Sequence, residues 1–243
     1  MKIIIKPSYE KMCKECANII QEEFLKKKNL VLGLPTGNTP IGVYKEIVKL
    51  YNTGKIDFSE IITFNLDEFI GIPSSHRLSY SYYMYNHLFN HVNINLKNIN
   101  IPNGMELNIN KHCKEYEQKI KLVKGIDLQI LGIGRNGHIG FNEPGSSFNS
   151  RTRKVSISEE TIKDTAKSYG ISQEEIPKFA ITMGIKTIME SKKIILLANG
   201  KSKAAIIKKT IEGSITPDIP ASVLKEHPNL LIILDNDAAS MIL

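Results

Sequence analysis

A chain of 243 residues, 42% hydrophobic and 23% charged, holds enough apolar material for one substantial α/β domain and too much for global disorder. No stretch approaches the roughly eighteen consecutive apolar residues of a membrane span, and the opening MKIIIKPSYE is too short an apolar run for a signal peptide, so a soluble cytoplasmic protein with no membrane partner is expected. The net charge of +7 comes from scattered lysines, and the longest basic run, Lys26-Lys27-Lys28, ends a predicted helix; a solvated surface or an anionic small substrate fits this better than nucleic acid.

Residues 2–5 read as the first strand and 8–27 as an amphipathic helix. That helix contains Cys13 and Cys16 as C-x-x-C. A thioredoxin-like pair follows a strand and opens a helix, whereas this pair sits inside one. No second pair stands at zinc-site spacing, and three cysteines suggest no disulfide framework, so no metal is expected.

The run LVLGL (30–34) reads as the next strand, followed by PTGNTP and a helix over 39–53 with Pro40 at its first position. Thr36, Gly37, Asn38 and Thr39 could offer hydroxyls and N–H groups to an anion at the helix's positive end. An ordinary turn with a Thr or Asn cap explains the segment equally well, and no G-K-[ST] closes a Walker loop.

IITFNL (61–66) reads as a strand ending at Asp67-Glu68-Phe69. Adjacent residues on extended chain face opposite sides, so only one of these carboxylates can readily face a substrate; the residues alone do not say which. A helix over 79–91 carries Tyr80, Tyr82, Tyr83 and Tyr85. Their spacing spreads them around its axis, which indicates packing and partial exposure rather than a stacking platform.

A helix over 109–121 precedes the strand IDLQILGI (126–133). A helix over 158–168 and the strand IILLA (194–198) follow, then Asn199-Gly200-Lys201-Ser202-Lys203, a helix over 201–212 and the strand LLIIL (230–234). Lys203 in a first helical turn opposes the dipole, which hints at a phosphate or marks a solvated lysine. Short apolar runs alternating with helices indicate βαβ units and a parallel sheet buried on both faces. In such sheets ligands bind beyond the strands' carboxyl ends, and four of these ends carry polar, Gly-rich or charged residues.

Gly132-Ile133-Gly134-Arg135-Asn136-Gly137 spells the dinucleotide fingerprint G-x-G-x-x-G. A working fingerprint opens a helix, but His138-Ile139-Gly140-Phe141-Asn142-Glu143-Pro144-Gly145 disfavours one, and no strand with a terminal acid follows about twenty residues on. The stretch reads instead as an active-site loop, with His138 and Glu143 as a proton-transfer pair beside a lone structural histidine as the blander reading.

LGLPTGNTP (32–40), TFNLDEF (63–69), GIGRNGHIGFNEPGSS (132–147) and SRTR (150–153) together resemble the glucosamine-6-phosphate deaminase family over essentially the whole chain. The related 6-phosphogluconolactonases resemble it less, since their loop usually lacks FNEP. The resemblance implies an α/β, Rossmann-like, mostly parallel sheet flanked by helices, one domain over 1–243, and a lid over about 153–182. It implies no cofactor and an amino-sugar phosphate substrate. Asp67 matches the base that moves a proton between C2 and C1, His138 the ring-opening acid/base, Glu143 the carboxylate that orients it, and Asn136 the histidine's third partner, often Asp. Thr36, Gly37, Asn38, Thr39 and Lys203 match phosphate ligands. Lys167 stands where some members have arginine, keeping charge but losing the bidentate fork. Val155 replaces a lysine of allosteric members, although Arg153 and Ser146 match, which implies weak or absent activation by an N-acetylated amino-sugar phosphate. Members range from monomers to hexamers, so a homo-oligomer stays open, as does preference for the galactosamine epimer.

Overall fold

The protein is described by a computed structural model covering residues 1–242. In chain order its elements begin β1 (Lys2–Lys6), α1 (Tyr9–Lys26), β2 (Val31–Leu34), α2 (Ile41–Asn52), β3 (Ile62–Asn65), β4 (Asp67–Phe69) and α3 (Tyr80–His87). They continue with β5 (Ile99–Asn100), α4 (Ile109–Leu122), β6 (Leu128–Gly132), β7 (Arg153–Ser156), α5 (Glu159–Tyr169), β8 (Phe179–Thr182) and α6 (Ile185–Met189). The last are β9 (Ile194–Ala198), α7 (Ala204–Glu212), β10 (Leu230–Asp235) and α8 (Asn236–Ala239).

Seven strands form one parallel sheet in the order β1-β10-β9-β6-β2-β3-β5. The apolar runs are strands because both faces are covered. Leu32, Leu34, Leu128, Ile130 and Ile195 pack with α1, α2 and α3 on one face. Val31, Phe64, Leu131, Leu196 and Ile232 pack with α4, α7 and α8 on the other. Cys13 and Cys16 are free thiols buried on the inner stripe of α1, and burial pushes Cys13 up to about 11. They are core residues there.

From β2 the chain moves to β3 on one side; from β6 it moves to β9 on the other. The crevice between β2 and β6 is therefore the point where the strand order reverses, the expected ligand position in an open α/β sheet.

A second, three-stranded antiparallel sheet, β4-β8-β7, was not legible in the sequence. It grows out of β3 across one residue: Leu66 N–H donates to Leu34 O at 3.3 Å, and its carbonyl accepts from Met183 N at 2.6 Å. With α5 it encloses a small core of Phe69, Leu78, Phe141, Ile157, Ala166 and Ala180. Residues 153–182, which the family resemblance implies as a lid, contain β7, α5 and β8. The helix expected over 79–91 ends at His87 and continues as a 3-10 turn, Phe89–His91; Lys201–Lys203 likewise form a 3-10 turn ahead of α7. Among the described residues no helix is long and apolar enough to cross a membrane.

Candidate active site

A cavity of about 630 Å³ opens at the reversal point. It is lined by Pro35–Thr39 after β2, Leu66 and Asp67 after β3, Gly132–Arg135 and His138 after β6, and Asn199, Ser202 and Lys203 after β9. The four polar strand ends thus meet. The fifth wall is α5, through Thr161, Asp164, Thr165, Lys167, Ser168 and Tyr169.

The structure separates the two adjacent carboxylates. Glu68 turns away and is saturated: it accepts from Phe69 N at 2.9 Å, Ser79 Oγ at 2.7 Å, Tyr80 N at 2.9 Å and Ser81 N at 3.0 Å. It caps the start of α3, where its charge also meets the helix dipole. Asp67 is 5% exposed and lines the cavity. Among the described residues nothing donates a hydrogen bond to its carboxylate. Burial, reinforced by the neighbouring Glu68 charge, holds its carboxyl well above the usual range. A buried carboxylate with no donor is a stronger base than one in water.

His138, Asn136 and Glu143 form a chain. The Glu143 carboxylate can only accept, so the group facing its Oε2 at 3.0 Å is the Asn136 Nδ2 amine. The amide oxygen of Asn136 then faces the imidazole, 2.7 Å from Nδ1, and also accepts from the His138 N–H at 3.1 Å. Nδ1 must therefore carry the proton. Nε2 is left unengaged on a ring that lines the cavity. Glu143 Oε2 lies 3.5 Å from Nδ1, and its Oε1 accepts from Thr161 Oγ1 at 2.5 Å. Burial would raise the Glu143 carboxyl, but the contacts with His138, Thr161 and Asn136 outweigh it and hold the group down at about 2.

The glycine fingerprint serves this histidine. No helix follows Gly137; the loop turns through residues 135–145. A Cβ on Gly134 would lie 2.2 Å from the imidazole Cε1, so the ring needs bare backbone beneath it. Gly140, at φ +56°, brings the chain past Asp67, where a Cβ would stand 3.3 Å from Oδ2.

The loop after β2 is not an ordinary cap. Pro40 occupies the N-cap of α2, not the first helical position, and no side chain caps that helix. Thr39 Oγ1 instead donates to Asn199 Oδ1 at 2.8 Å, and Asn38 Nδ2 to Ser168 Oγ at 3.0 Å. Lys203 sits at the N-cap of α7, and its ammonium is pushed below the usual lysine range by burial first and then by the Arg135 charge. Lys167 lines the cavity mouth from α5 as an exposed side chain. Arg135 forks onto Asp164 of α5, with Nε at 3.0 Å from Oδ2 and a second, shorter contact to Oδ1. Among the described residues Lys167 and Lys203 form no ion pair and the amides of 36–39 have no protein acceptor, so this concave site suits a small molecule bearing a phosphate.

Sequence reasoning missed Tyr80, Arg135, Thr161 and Asp164. Tyr80 packs, as its spacing predicts, stacking on Phe141 at 5.9 Å and 5°, and it also lines the cavity. Tyr82 is exposed, Tyr83 buried, and Tyr85 packs on Phe89. A signal for α5 existed: Thr161, Asp164, Thr165 and Ser168 repeat at helical spacing and form one polar face.

The family model for glucosamine-6-phosphate isomerases/6-phosphogluconolactonase matches residues 7–232. A curated relative from Thermoanaerobacter pseudethanolicus, named glucosamine-6-phosphate deaminase, is 51% identical over 242 residues, covering 100% of this chain and 95% of the relative. One of the same name from Clostridium botulinum (strain Loch Maree) is 55% identical over 240 residues, covering 99% and 98%. A solved structure described as a monomeric glucosamine-6-phosphate deaminase of the NagB superfamily superposes with a TM-score of 0.97 at 43% identity, covering 99% and 100%. A 6-phosphogluconolactonase from Thermotoga maritima, at TM-score 0.76 and 21% identity over 96% and 99%, shares the fold.

Proposed function

Since this chain belongs to the glucosamine-6-phosphate isomerase/6-phosphogluconolactonase family, we propose that it converts glucosamine 6-phosphate and water into fructose 6-phosphate and ammonia through an aldose–ketose isomerisation. The observation that carries this reading is the contrast between the two adjacent carboxylates. Glu68 is spent on four donors, while Asp67 stands donor-free in the cavity that also holds His138 and Lys203. A lactone hydrolysis needs no base of that kind at a sugar's C2.

The steps follow from the groups in place. Substrate phosphate lies against the Thr36–Thr39 amides with Lys203 and Lys167 as counter-charges. His138 Nε2 takes the proton from the C1 hydroxyl and returns one to the ring oxygen, opening the pyranose to the aldehyde. Glu143, through Asn136, keeps Nδ1 protonated and stabilises the imidazolium during that transfer. Asp67 removes the C2 proton; the electron pair forms the C1=C2 enolamine and the carbonyl oxygen gains a proton. Reprotonation at C1 leaves an imine at C2. Water adds to that carbon, and ammonia departs as the C2 carbonyl forms. The segment 153–182 acts as a lid, with α5 excluding water while the enolamine exists.

A coupled ammonia assay on glucosamine 6-phosphate and its galactosamine epimer tests the reading. Ammonia and fructose 6-phosphate in equal amounts, lost in Asp67→Asn, are expected. Release from the galactosamine sugar alone, or none from either, would contradict it.

A further inference from the structure

Behind the loop after β2 stand three tyrosines, one from each of three helices. Tyr44 of α2 donates its hydroxyl to Pro35 O through a short hydrogen bond. Tyr83 of α3 donates to Gly37 O at 2.6 Å. Tyr9 of α1 lies 3.0 Å from Thr39 O and 3.2 Å from Asn38 O, and accepts from Gly42 N–H at 2.8 Å. None of the three lines the cavity, although Pro35–Thr39 do. The hydroxyls therefore hold the outer side of the loop.

A peptide's C=O and the N–H of the next residue point in opposite directions across one plane. Turning the Pro35 carbonyl outward turns the Thr36 N–H inward. The Gly37 and Asn38 carbonyls do the same for the amides of Asn38 and Thr39. Among the described residues none of the amides of Thr36, Gly37, Asn38 and Thr39 has a protein acceptor. Gly37 adds the required backbone turn at φ +95°, with open space around its would-be Cβ. Consecutive inward amides of this kind make an anion-binding concavity. The carbonyls of Pro35, Gly37 and Asn38, each within reach of a tyrosine hydroxyl, thus set the amides of Thr36, Asn38 and Thr39 toward the cavity, while Tyr9 also reaches the Thr39 carbonyl ahead of Pro40.

We propose that Tyr9, Tyr44 and Tyr83 are positioning residues whose hydroxyls fix the Pro35–Thr39 backbone with its amides facing the cavity, as a cradle formed before the phosphate arrives. The inference rests on the functional reading above, which places the substrate's phosphate at this loop. Burial pushes all three phenols up, Tyr9 to about 12, so each remains a protonated donor through the neutral pH range. Without the hydroxyls the carbonyls are free to rotate toward the cavity, where they would repel an anion.

Tyr9→Phe and Tyr83→Phe, alone and together, test the proposal, with Tyr44→Phe as a more buried third variant. Inorganic phosphate is the probe, measured as a competitive inhibitor beside KM, kcat and Tm. Each substitution should raise both the KM and the phosphate inhibition constant about 3- to 10-fold, the effect expected of one lost hydrogen bond, with a much smaller change in kcat. A phosphate constant like that of the unsubstituted protein in Tyr9→Phe and Tyr83→Phe, with or without a fall in Tm, would overturn it, because those tyrosines would then be packing only. If the unsubstituted protein neither releases ammonia nor binds phosphate, the functional reading fails instead, and the two failures are distinct.

Discussion

At the scale of single residues, the site depends on one carboxylate kept unhappy and another kept satisfied. Asp67 is buried without donors, so its folded pKa exceeds its unfolded one. The folded state then favours the protonated form, and stability falls as pH rises from the unfolded toward the folded value. Asp67→Asn should therefore raise Tm at neutral pH, by about 2–4 °C per kcal/mol relieved, while lowering kcat by at least about 10²–10⁴-fold; calorimetry across pH should show the gap closing in acid. A lower Tm at pH 7 would contradict the account. Glu143 has the opposite sign. Its folded value of about 2 lies below the usual 4.5, so the stability it brings is present above about pH 4.5 and is lost as pH falls toward 2. Acid unfolding of Glu143→Gln should lack that part of the slope. Gly134→Ala should keep the fold but displace the imidazole, lowering kcat by about 10²-fold or more, since a methyl would overlap the ring. An unchanged kcat would show that the ring does not need its present seat. Asp67 was legible as a candidate from its place after an apolar strand; the choice between it and Glu68 was not, because it depends on Ser79 and Tyr80, eleven and twelve residues further on.

At the scale of elements, α5 is tied over the cavity by three tethers, one to the loop after β2 and two to the loop after β6. Asn38 reaches Ser168, Arg135 reaches Asp164, and Thr161 reaches Glu143. The Arg135–Asp164 pair is roughly half exposed, so its worth is modest and should decline with salt. Hydrogen–deuterium exchange should show the amides of 159–169 protected further by inorganic phosphate, and less protected in Asp164→Asn combined with Thr161→Val. Equal exchange with and without phosphate would argue against a lid. Six of the seven parallel strands and the large helices were legible because each is a sustained apolar run or a helical period; the seventh, β5, is the two residues Ile99–Asn100 and carries no such signal. β4 and β7 were not: they are three and four residues long, and Asp67 and Glu68 in one and Arg153 and Lys154 in the other interrupt the apolar pattern; β8 is the four residues Phe179–Thr182, whose pairing with both depends on the fold. β4 also merges with β3 into one run, with only Leu66 between them.

At the scale of the whole molecule, strand order decides where chemistry can occur. The reversal between β2 and β6 leaves a crevice that no crossover helix covers, and the loops after β2, β3, β6 and β9 all end there. The sequence allowed this convergence to be anticipated, since polar residues stand after four apolar runs. It did not show the wall made by α5, which depends on a second sheet folding the 153–182 segment back over the crevice. Asp67, His138 and Lys203 line one cavity, and in the proposed reaction they act together on one phosphorylated amino sugar. The most direct measurement is ammonia release from glucosamine 6-phosphate by the unsubstituted protein, Asp67→Asn and Lys203→Ala side by side. Turnover in the first, a collapse of kcat in the second and a large rise in KM in the third are expected. Undiminished turnover in Asp67→Asn, or no ammonia from the unsubstituted protein, would contradict the account.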